Sequence, residues 1–337
     1  MYRECITCND ISLVPRHSEI KSRDNCCINS SRFSMPIIAS PMDTVYSRDL
    51  DNLLTQQYIP VVVHRYFKDA FYQHSMALKT HPTCRYYAVG SIYGQHETEW
   101  IDYLIDAGIH LFCVDMAHGD TKACVDTVTY IKSKCEINEV IAGNVATRSA
   151  FRRLEDAGAD MIRVGIGSGS ICSTRLNTGF GVPLLSSLED CASVRENALI
   201  IADGGMRYPG DITKAIAFGA DLCMLGRQLA STNLAPGKMY DKDKNQVGKC
   251  EDAAYKQYRG MASRQARENV MKNASIEGVS GLIPYTGTTE QYIEDLKMNL
   301  KASLSYAGCM TWKEFRRDVK KIRISPSSWN ESLTHVE

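Results

Sequence analysis

The chain has 337 residues, enough for one large barrel domain or for two ordinary domains. Its 39 Lys and Arg residues balance its 39 Asp and Glu residues, so the charge favours neither nucleic acid nor a membrane surface as a partner. No apolar run could span a bilayer and the N-terminal MYRECITCND lacks a signal-peptide core, so we expect a soluble, cytoplasmic protein.

A short apolar strand, a polar or glycine-containing loop and an amphipathic helix recur along the chain. The strands are apolar without alternation, which is typical of strands that are buried on both faces. Most lie roughly two dozen residues apart, about the length of one βα unit. In chain order, the predicted strands are 36–40, 59–64, 86–90, 110–115, 139–144, 160–165, 198–203 and 221–226.

Three of the strands follow a glycine that is suited to end the preceding helix. These are Gly108, Gly158 and Gly219, in the segments DAGIH, DAGAD and FGAD. A glycine at such a place commonly adopts the left-handed conformation. Eight βα units predict an α/β fold, a closed (β/α)8 or TIM barrel that forms a single domain over 1–337. A doubly wound open sheet is the alternative.

Two connections are longer than the others. The first, at 165–181, follows the sixth strand, and the second, at 227–288, follows the eighth. The second is rich in Lys, Arg, Asn and Gly, so we expect a mobile flap rather than core. Both fall on the catalytic face, because barrel active sites lie at the carboxyl ends of the strands. Helical spacing then returns at Ile293, Leu296, Leu300 and Leu304, closed by Gly308.

The loops after the seventh and eighth strands are rich in glycine. DGGMRYPGD occupies 203–211, and GADLCMLGR occupies 219–227. Loops at these places commonly bind phosphate, since backbone N–H groups can approach the phosphate oxygens. Asp203 would repel phosphate while ionised, so we expect it to accept hydrogen bonds from ribose hydroxyls instead. Glycines that serve only tight turns are the alternative.

Among 13 cysteines, Cys172 alone lies in a Gly- and Ser-rich loop, GSGSICST at 167–174. A thiolate can attack an electron-poor ring carbon, and covalent attachment divides one difficult substitution into two steps. The Thr174 hydroxyl could reach the same carbon, and the loop carbonyls could surround a monovalent cation. A structural free thiol is the alternative. Most other cysteines lie in apolar runs, as in a reducing compartment, and the Cys5–Cys8 pair lacks further ligands for zinc.

Four more polar residues are candidates for the site. Asp115 ends the fourth strand and Asn144 ends the fifth, where polar side chains of a barrel usually point into the active site. His118 follows in the loop after Asp115, with an exposed histidine as the equal alternative. Glu277 lies near the end of the flap interval and is followed by Gly, with a solvated charge as its alternative.

Several segments together resemble the family of inosine-monophosphate dehydrogenase and guanosine-monophosphate reductase. The resemblance covers nearly the whole chain, and its cysteine loop and DGG loop are highly specific in combination. It implies a TIM barrel that acts on a purine nucleoside monophosphate. The segments are ASPMDTV at 39–45, VDMAHG at 114–119, AGNVAT at 142–147, VGIGSGSICSTR at 164–175, IADGGMRYPGDI at 201–212 and YRGMAS at 258–263.

The resemblance favours the reductase branch, which converts GMP to IMP and ammonia with NADPH. The spacing from His64 to Tyr86 leaves no room for the regulatory domains that most dehydrogenases carry. The dehydrogenase flap also has an Arg-Tyr pair that activates water, whereas no Tyr lies between Met261 and Glu277. The YRGM segment is closer to the dehydrogenase branch. The alternatives are an IMP dehydrogenase that uses NAD, an FMN-dependent barrel oxidoreductase and a nucleotide-binding barrel without catalysis.

The resemblance also implies roles for individual residues and a homotetramer. Cys172 would attack C2 of guanine, and Thr174 and Glu277 would handle the proton of the leaving amine. The carbonyls of Gly167, Gly169 and Cys172 would bind K+. NADPH would contact Asp115, Met116, Ala117 and Asn144. The nucleotide would contact Ser40, Met42, Ser170, Asp203, Gly204, Gly205, Gly226, Arg227, Gly260 and Met261, with Arg227 where the family usually has Ser or Gly.

Overall fold

The eight apolar runs form eight parallel strands that close into a barrel in sequence order. The computed structural model describes residues 2–66, 84–261, 263 and 278–334. The predicted barrel is confirmed, and the open sheet is excluded because the last barrel strand pairs with the first. The barrel strands are β2 to β9. Within the described residues, the strands in chain order are β1 (Ile11–Val14), β2 (Ile37–Ala39), β3 (Val61–Val63), β4 (Arg85–Val89), β5 (Leu111–Asp115), β6 (Glu139–Val145), β7 (Met161–Val164), β8 (Leu199–Asp203), β9 (Leu222–Leu225), β10 (Met239–Tyr240), β11 (Gln246–Val247), β12 (Tyr255–Arg259), β13 (Ser280–Pro284) and β14 (Lys320–Arg323).

The helices between the strands begin and end as their capping residues indicate. Thr121 and Thr147 each accept a hydrogen bond from a backbone N–H in the first turn of the helix that follows. Gly108, Gly158 and Gly219 have φ angles of 82°, 100° and 107°, so all three predicted helix-ending glycines are left-handed. The helices are Arg48–Gln56, Glu97–Asp106, Lys122–Lys134, Arg148–Asp156, Thr174–Thr178, Leu184–Ala192, Pro209–Ala217, Arg227–Ala230, Thr289–Tyr306, Trp312–Asp318 and Pro326–Glu331.

The interior of the barrel changes from apolar to polar along its axis. Alternate residues of each strand point inward, and one layer of them is an apolar plug. The same alternation places the position two residues further on directly above this plug, at the carboxyl end of the barrel. The plug residues are Ile38, Val62, Ala88, Cys113, Ile141, Met161, Ile201 and Met224. The eight positions above them, here called the upper layer, are Ser40, His64, Gly90, Asp115, Gly143, Arg163, Asp203 and Gly226.

Part of the interval 227–288 is a four-stranded antiparallel sheet, here called the flap sheet, with the order β11-β10-β12-β13. The expectation that this interval lies outside the core is wrong for the sheet, because Lys256, Tyr258 and Ile283 are buried there. The physical reason is the alternation in β12, where every second residue faces inward. The segment 264–277 lies outside the described residues. The helix predicted after this interval is confirmed, and its apolar residues Ile293, Leu296, Leu300 and Leu304 are buried.

Two further features lie away from the carboxyl face. Strand β1 pairs with β14 in an antiparallel sheet that the sequence analysis did not predict. Arg85, which begins β4, forms a buried ion pair with Asp51, with 2.7 Å between its Nε and the carboxylate Oδ2. In the part of the chain that the structure describes, no helix is both long enough and apolar enough to cross a bilayer.

Candidate active site

A cavity of about 610 Å³ opens at the carboxyl ends of the barrel strands. This volume is in the range of pockets that hold small ligands, about 300–1,000 Å³. Glu277 lies outside the described residues, and His118 is exposed and does not line the cavity. All the other predicted site residues line it: Ser40, Met42, Asp115, Met116, Ala117, Asn144, Gly167, Gly169, Ser170, Cys172, Thr174, Asp203, Gly204, Gly205, Gly226, Arg227, Gly260 and Met261.

The thiol of Cys172 faces this cavity from a half-buried position. Its Sγ donates a hydrogen bond to Thr174 Oγ1 at 3.1 Å. The loop is folded back on itself, because the Cys172 amide donates to the Gly169 carbonyl at 3.1 Å. It also contacts the residue just before β13 of the flap sheet, where the Val279 amide donates to the Ile171 carbonyl at 3.0 Å. A thiol packed into the core could not act as a nucleophile, but the thiol of Cys172 lines the cavity instead.

Other cysteines differ from Cys172 in their surroundings. Cys113 belongs to the apolar plug and is fully buried, and burial raises the pKa of its thiol to about 12. Burial likewise raises the pKa of Cys8, which lines the cavity, to about 12. A thiol must lose its proton to act as a nucleophile, so burial disfavours both for that role. No group of three or more His, Cys, Asp or Glu side chains in the described ranges could hold a metal ion, including around Cys5.

The cysteine loop rests directly on the DGG loop. Ser168 Oγ donates to the backbone carbonyl of Asp203 at 3.0 Å. A Cβ built on Gly165 would lie 2.0 Å from that same carbonyl oxygen, and one built on Gly204 would lie 2.8 Å from the Gly169 nitrogen. Gly204 and Gly205 have φ angles of 83° and 73°, so the tight-turn interpretation of these glycines holds as well. Apart from the Ser168 side chain, the two loops leave no space for side chains at Gly165 and Gly204.

Asp203 is held by side chains from two other strands. Asn144 Nδ2 donates to Asp203 Oδ2 at 2.8 Å and to the Gly165 carbonyl at 2.9 Å. Arg163 donates to the same Oδ2 from Nε at 3.2 Å and from Nη2 at 2.9 Å. No described residue donates to Asp203 Oδ1, which leaves that oxygen available to a ligand. The amide hydrogens of Asn144 are thus engaged within the protein.

Asp115 shares the guanidinium of Arg163 with Asp203. Arg163 Nη1 donates to Asp115 Oδ1 at 2.5 Å, and Arg65 Nε lies 3.9 Å from Asp115 Oδ2. Burial alone would lower the pKa of Arg163, but the charges of Asp203 and Asp115 outweigh it and raise that pKa well above its ordinary value. Arg163 was not among the predicted site residues. Its position indicates an inward-facing side chain, since it stands two residues after the inward-facing Met161 at the end of a barrel strand.

The YRGM segment contacts the ASPMDTV loop at the cavity rim. Tyr258 Oη donates to Met42 Sδ at 3.6 Å, and a Cβ on Gly226 would lie 2.8 Å from that Oη. Arg259 Nη2 forms an ion pair with Asp43 Oδ2 at 2.5 Å. Tyr258, Arg259 and Asp43 were not among the predicted site residues either. Their residue types alone do not indicate that they meet, because the ion pair joins segments more than 200 residues apart.

The charges at the cavity suit an anionic ligand. Arg175, Arg207 and Arg227 line it, and none of the three forms an ion pair with a carboxylate in the part of the chain that the structure describes. Such guanidinium groups can bind phosphate through paired hydrogen bonds. His64 in the upper layer carries no charge near neutral pH, because burial lowers its pKa to about 4.

The backbone of the cysteine loop offers oxygen atoms to a cation. The Gly169 carbonyl accepts the Cys172 amide, but no described backbone amide outside the helices and strands donates to the carbonyls of Gly167 or Cys172. Carbonyl oxygens bind hard cations, whereas transition metals favour nitrogen and sulfur ligands. The donor set therefore fits a hard cation better than a transition metal.

Comparisons with known proteins agree with these motifs. A family model described as the IMP dehydrogenase / GMP reductase domain matches residues 5–335. A GMP reductase from Lactobacillus delbrueckii subsp. bulgaricus is 34% identical over 322 residues, which are 93% of either chain. An inosine-5'-monophosphate dehydrogenase from Aquifex aeolicus is 39% identical over 261 residues, 74% of this chain and 51% of that protein. A GMP reductase from Leishmania major is 41% identical over 247 residues, 69% of this chain and 49% of that protein.

Proposed function

The chain belongs to the IMP dehydrogenase / GMP reductase family, and on that basis we propose that it is a GMP reductase. The family consists of oxidoreductases that act on purine nucleotides. The observation that carries the proposal is the Cys172 thiol, which lines the nucleotide-sized cavity beside Thr174. The proposed reaction takes up GMP, NADPH and two protons and releases IMP, NADP+ and ammonium.

The first step is a substitution at C2 of the guanine ring. Cys172 Sγ, as the thiolate, attacks C2, and the exocyclic amine leaves as ammonia after it has gained a proton. The product is a thioimidate that joins Sγ to C2. Thr174 Oγ1 lies 3.1 Å from Sγ, so its hydroxyl can pass a proton at the same carbon. Glu277 is proposed as its partner in this transfer.

The second step returns the thiol and leaves hydrogen at C2. NADPH, when bound, supplies a hydride to C2. The C–S bond then breaks, the electron pair returns to Cys172 Sγ and IMP is free to leave. Asp115 is a suitable group to bind the nicotinamide ribose, because its carboxylate faces the cavity and is fixed by Arg163. Met116, Ala117 and Asn144 are proposed to complete the cofactor contacts.

The nucleotide is proposed to lie across the two glycine loops. Ser170, Gly205 and Gly226 offer polar hydrogens to the phosphate, and Arg227 adds charge. Further contacts are Asp203 Oδ1 to the ribose, Met261 to the base, and Ser40, Met42, Gly204 and Gly260 around them. K+ is proposed on the carbonyls of Gly167, Gly169 and Cys172, where it would hold the loop that presents the thiol. A homotetramer in the cytoplasm is also proposed.

Two observations favour the reductase over the dehydrogenase. The chain spans nearly the full length of the Lactobacillus GMP reductase but about half of the Aquifex dehydrogenase. Its flap interval also has no Tyr between Met261 and Glu277 to form the water-activating pair. Length alone does not separate the two activities, because the chain also covers only about half of the Leishmania GMP reductase.

A paired assay decides between the two activities. The purified protein is given GMP with NADPH, and separately IMP with NAD, while nicotinamide absorbance and ammonia are measured. NADPH loss with equal ammonia release supports the reductase, and NADH formation from IMP identifies a dehydrogenase. A yellow protein with bound flavin would instead support the FMN-dependent alternative. Binding of GMP without turnover in either assay would indicate a nucleotide-binding barrel.

A further inference from the structure

One buried arginine connects the two sides of the cavity. Arg163 lies on β7, is 6% exposed and donates to Asp115 on β5 and to Asp203 on β8. Three of its hydrogen bonds to these carboxylates are 3.2 Å or shorter. Both carboxylates line the cavity, one on the side proposed for the cofactor and the other on the side proposed for the nucleotide.

The barrel makes room for this bridge at Gly143. Gly143 pairs with Asp115 on one side and with Arg163 on the other, so it lies between them in the upper layer. A Cβ on Gly143 would lie 2.7 Å from the Arg163 Cβ. Because no side chain stands there, the guanidinium can reach from β7 to Asp115. A planar guanidinium spreads its five N–H donors over three nitrogens and can bond two carboxylates in a fixed geometry, whereas an ammonium has its three N–H donors on one nitrogen.

The same bridge orients Asp203. Its Oδ2 already accepts hydrogen bonds from Arg163 and Asn144, so the carboxylate cannot rotate without breaking them. Oδ1 is consequently held towards the cavity. Strand β7 also continues directly into the loop of Cys172, and Gly165 at its end packs against the Asp203 carbonyl.

We propose that Arg163 is a positioning residue that fixes Asp115 and Asp203 relative to one another, so that cofactor and nucleotide are held at a set separation beside Cys172. The inference rests on the proposed function in one respect, namely which ligand each carboxylate binds. It assigns Arg163 no contact with either ligand. Its loss should therefore weaken both ligands together, although they lie on opposite sides of the bridge.

The test compares Arg163→Met with Arg85→Met. Arg85 is a matched control, because its side chain is as buried as that of Arg163 and forms an ion pair with Asp51, but it does not line the cavity. Thermal unfolding, the dissociation constant of IMP by calorimetry and the KM of the nicotinamide cofactor are measured for both variants. We expect Arg163→Met to raise both ligand constants roughly tenfold or more, and Arg85→Met to lower stability with both constants unchanged. Arg163→Lys should recover part of the loss, since it keeps the charge.

The outcomes separate this inference from the proposed function. IMP is the product of one reaction and the substrate of the other, so its binding can be measured whichever activity the wild type has. A wild type that binds IMP but does not reduce GMP would remove the proposed function, and the dissociation constants of IMP would still test the role of Arg163. Wild-type ligand constants in folded Arg163→Met would overturn the inference. If that variant does not fold, unchanged constants in Arg163→Lys, which has one donor nitrogen in place of the three that reach Asp115 and Asp203, would overturn it equally.

Discussion

Cys172 Sγ and Thr174 Oγ1 lie 3.1 Å apart on one wall of the cavity. The distance follows from local structure, because Ser173 occupies the position just before the short helix Thr174–Thr178 and the chain turns between the two residues. The sulfur and the hydroxyl therefore face the same space. A nucleophile and a proton-transfer group in this arrangement can act on one carbon atom of a substrate.

Replacing Cys172 by Ser should remove turnover and preserve nucleotide binding. We expect kcat to fall about a thousandfold or more, because an alcohol is far less ionised than a thiol near neutral pH. Steady-state rates with GMP and NADPH and the dissociation constant of IMP check this. Cys135→Ser is the control, since Cys135 is also partly exposed but does not line the cavity. An active Cys172→Ser enzyme would contradict the covalent mechanism.

Thr174 should contribute through its hydroxyl rather than its shape. Thr174→Val keeps the volume and removes the oxygen, so we expect kcat to fall about a hundredfold. Thr174→Ser keeps the oxygen and should retain most of the activity. Single-turnover measurement of ammonia release shows whether the first step is the one affected. Equal rates in the Val and Ser variants would mean that the hydroxyl transfers no proton.

Gly165 should tolerate no side chain, because a Cβ there would lie 2.0 Å from the Asp203 carbonyl oxygen. Gly165 also has a φ angle of 148°, which disfavours other residues. We expect Gly165→Ala to lower the free energy of unfolding by about 2–3 kcal/mol and to weaken nucleotide binding. Urea unfolding and calorimetry measure the two effects. Gly248→Ala, with open space around its Cβ, should be neutral, and a neutral Gly165→Ala would disprove the close packing of the loops.

Lys256 should make stability rise with pH in mildly alkaline solution. Burial lowers the pKa of this lysine from 10.5 to about 8, and its Nζ donates to the Thr232 carbonyl at 2.6 Å and to the Ala235 carbonyl. Between these two pKa values the unfolded chain binds more protons than the folded chain. The free energy of unfolding contributed by Lys256 therefore increases with pH, by about 1.4 kcal/mol per pH unit at most.

The difference between wild type and Lys256→Met isolates this contribution. Urea unfolding at several pH values across the window should show a steeper rise for the wild type than for the variant. Lys249→Met, at an exposed position nearby, should follow the wild type. Parallel curves for wild type and Lys256→Met would show that Lys256 does not titrate in this range.

The barrel was predictable because its signals are local. Each barrel strand is mostly apolar, and Gly108, Gly158 and Gly219 mark helix ends without reference to distant residues. The pairing of β1 with β14 was not predictable, since it joins four-residue segments some 300 residues apart, and β14 has a single apolar residue. The flap sheet was missed for a related reason. Its strands β10 and β11 have two residues each, too few for any periodicity.

The candidate site was predictable where motifs are contiguous. Cys172 and Thr174 lie in one loop, and the glycines of 203–205 in another, and both loops line the cavity. Arg163 is not predictable from its strand alone, because a single charged residue within DMIRVG does not interrupt the apolar pattern. Its partners come from strands β5 and β8, so only the folded barrel brings the three side chains together.

The apolar plug has a consequence for how such a protein can diverge. The apolar core comprises the plug and the residues packed between the barrel and its helices, whereas Ser40, Asp115 and Asp203 of the upper layer line the cavity. These three side chains belong to neither apolar cluster. Substitutions at these rim positions therefore remove no part of the apolar core, which makes them the natural positions at which to change what the cavity binds.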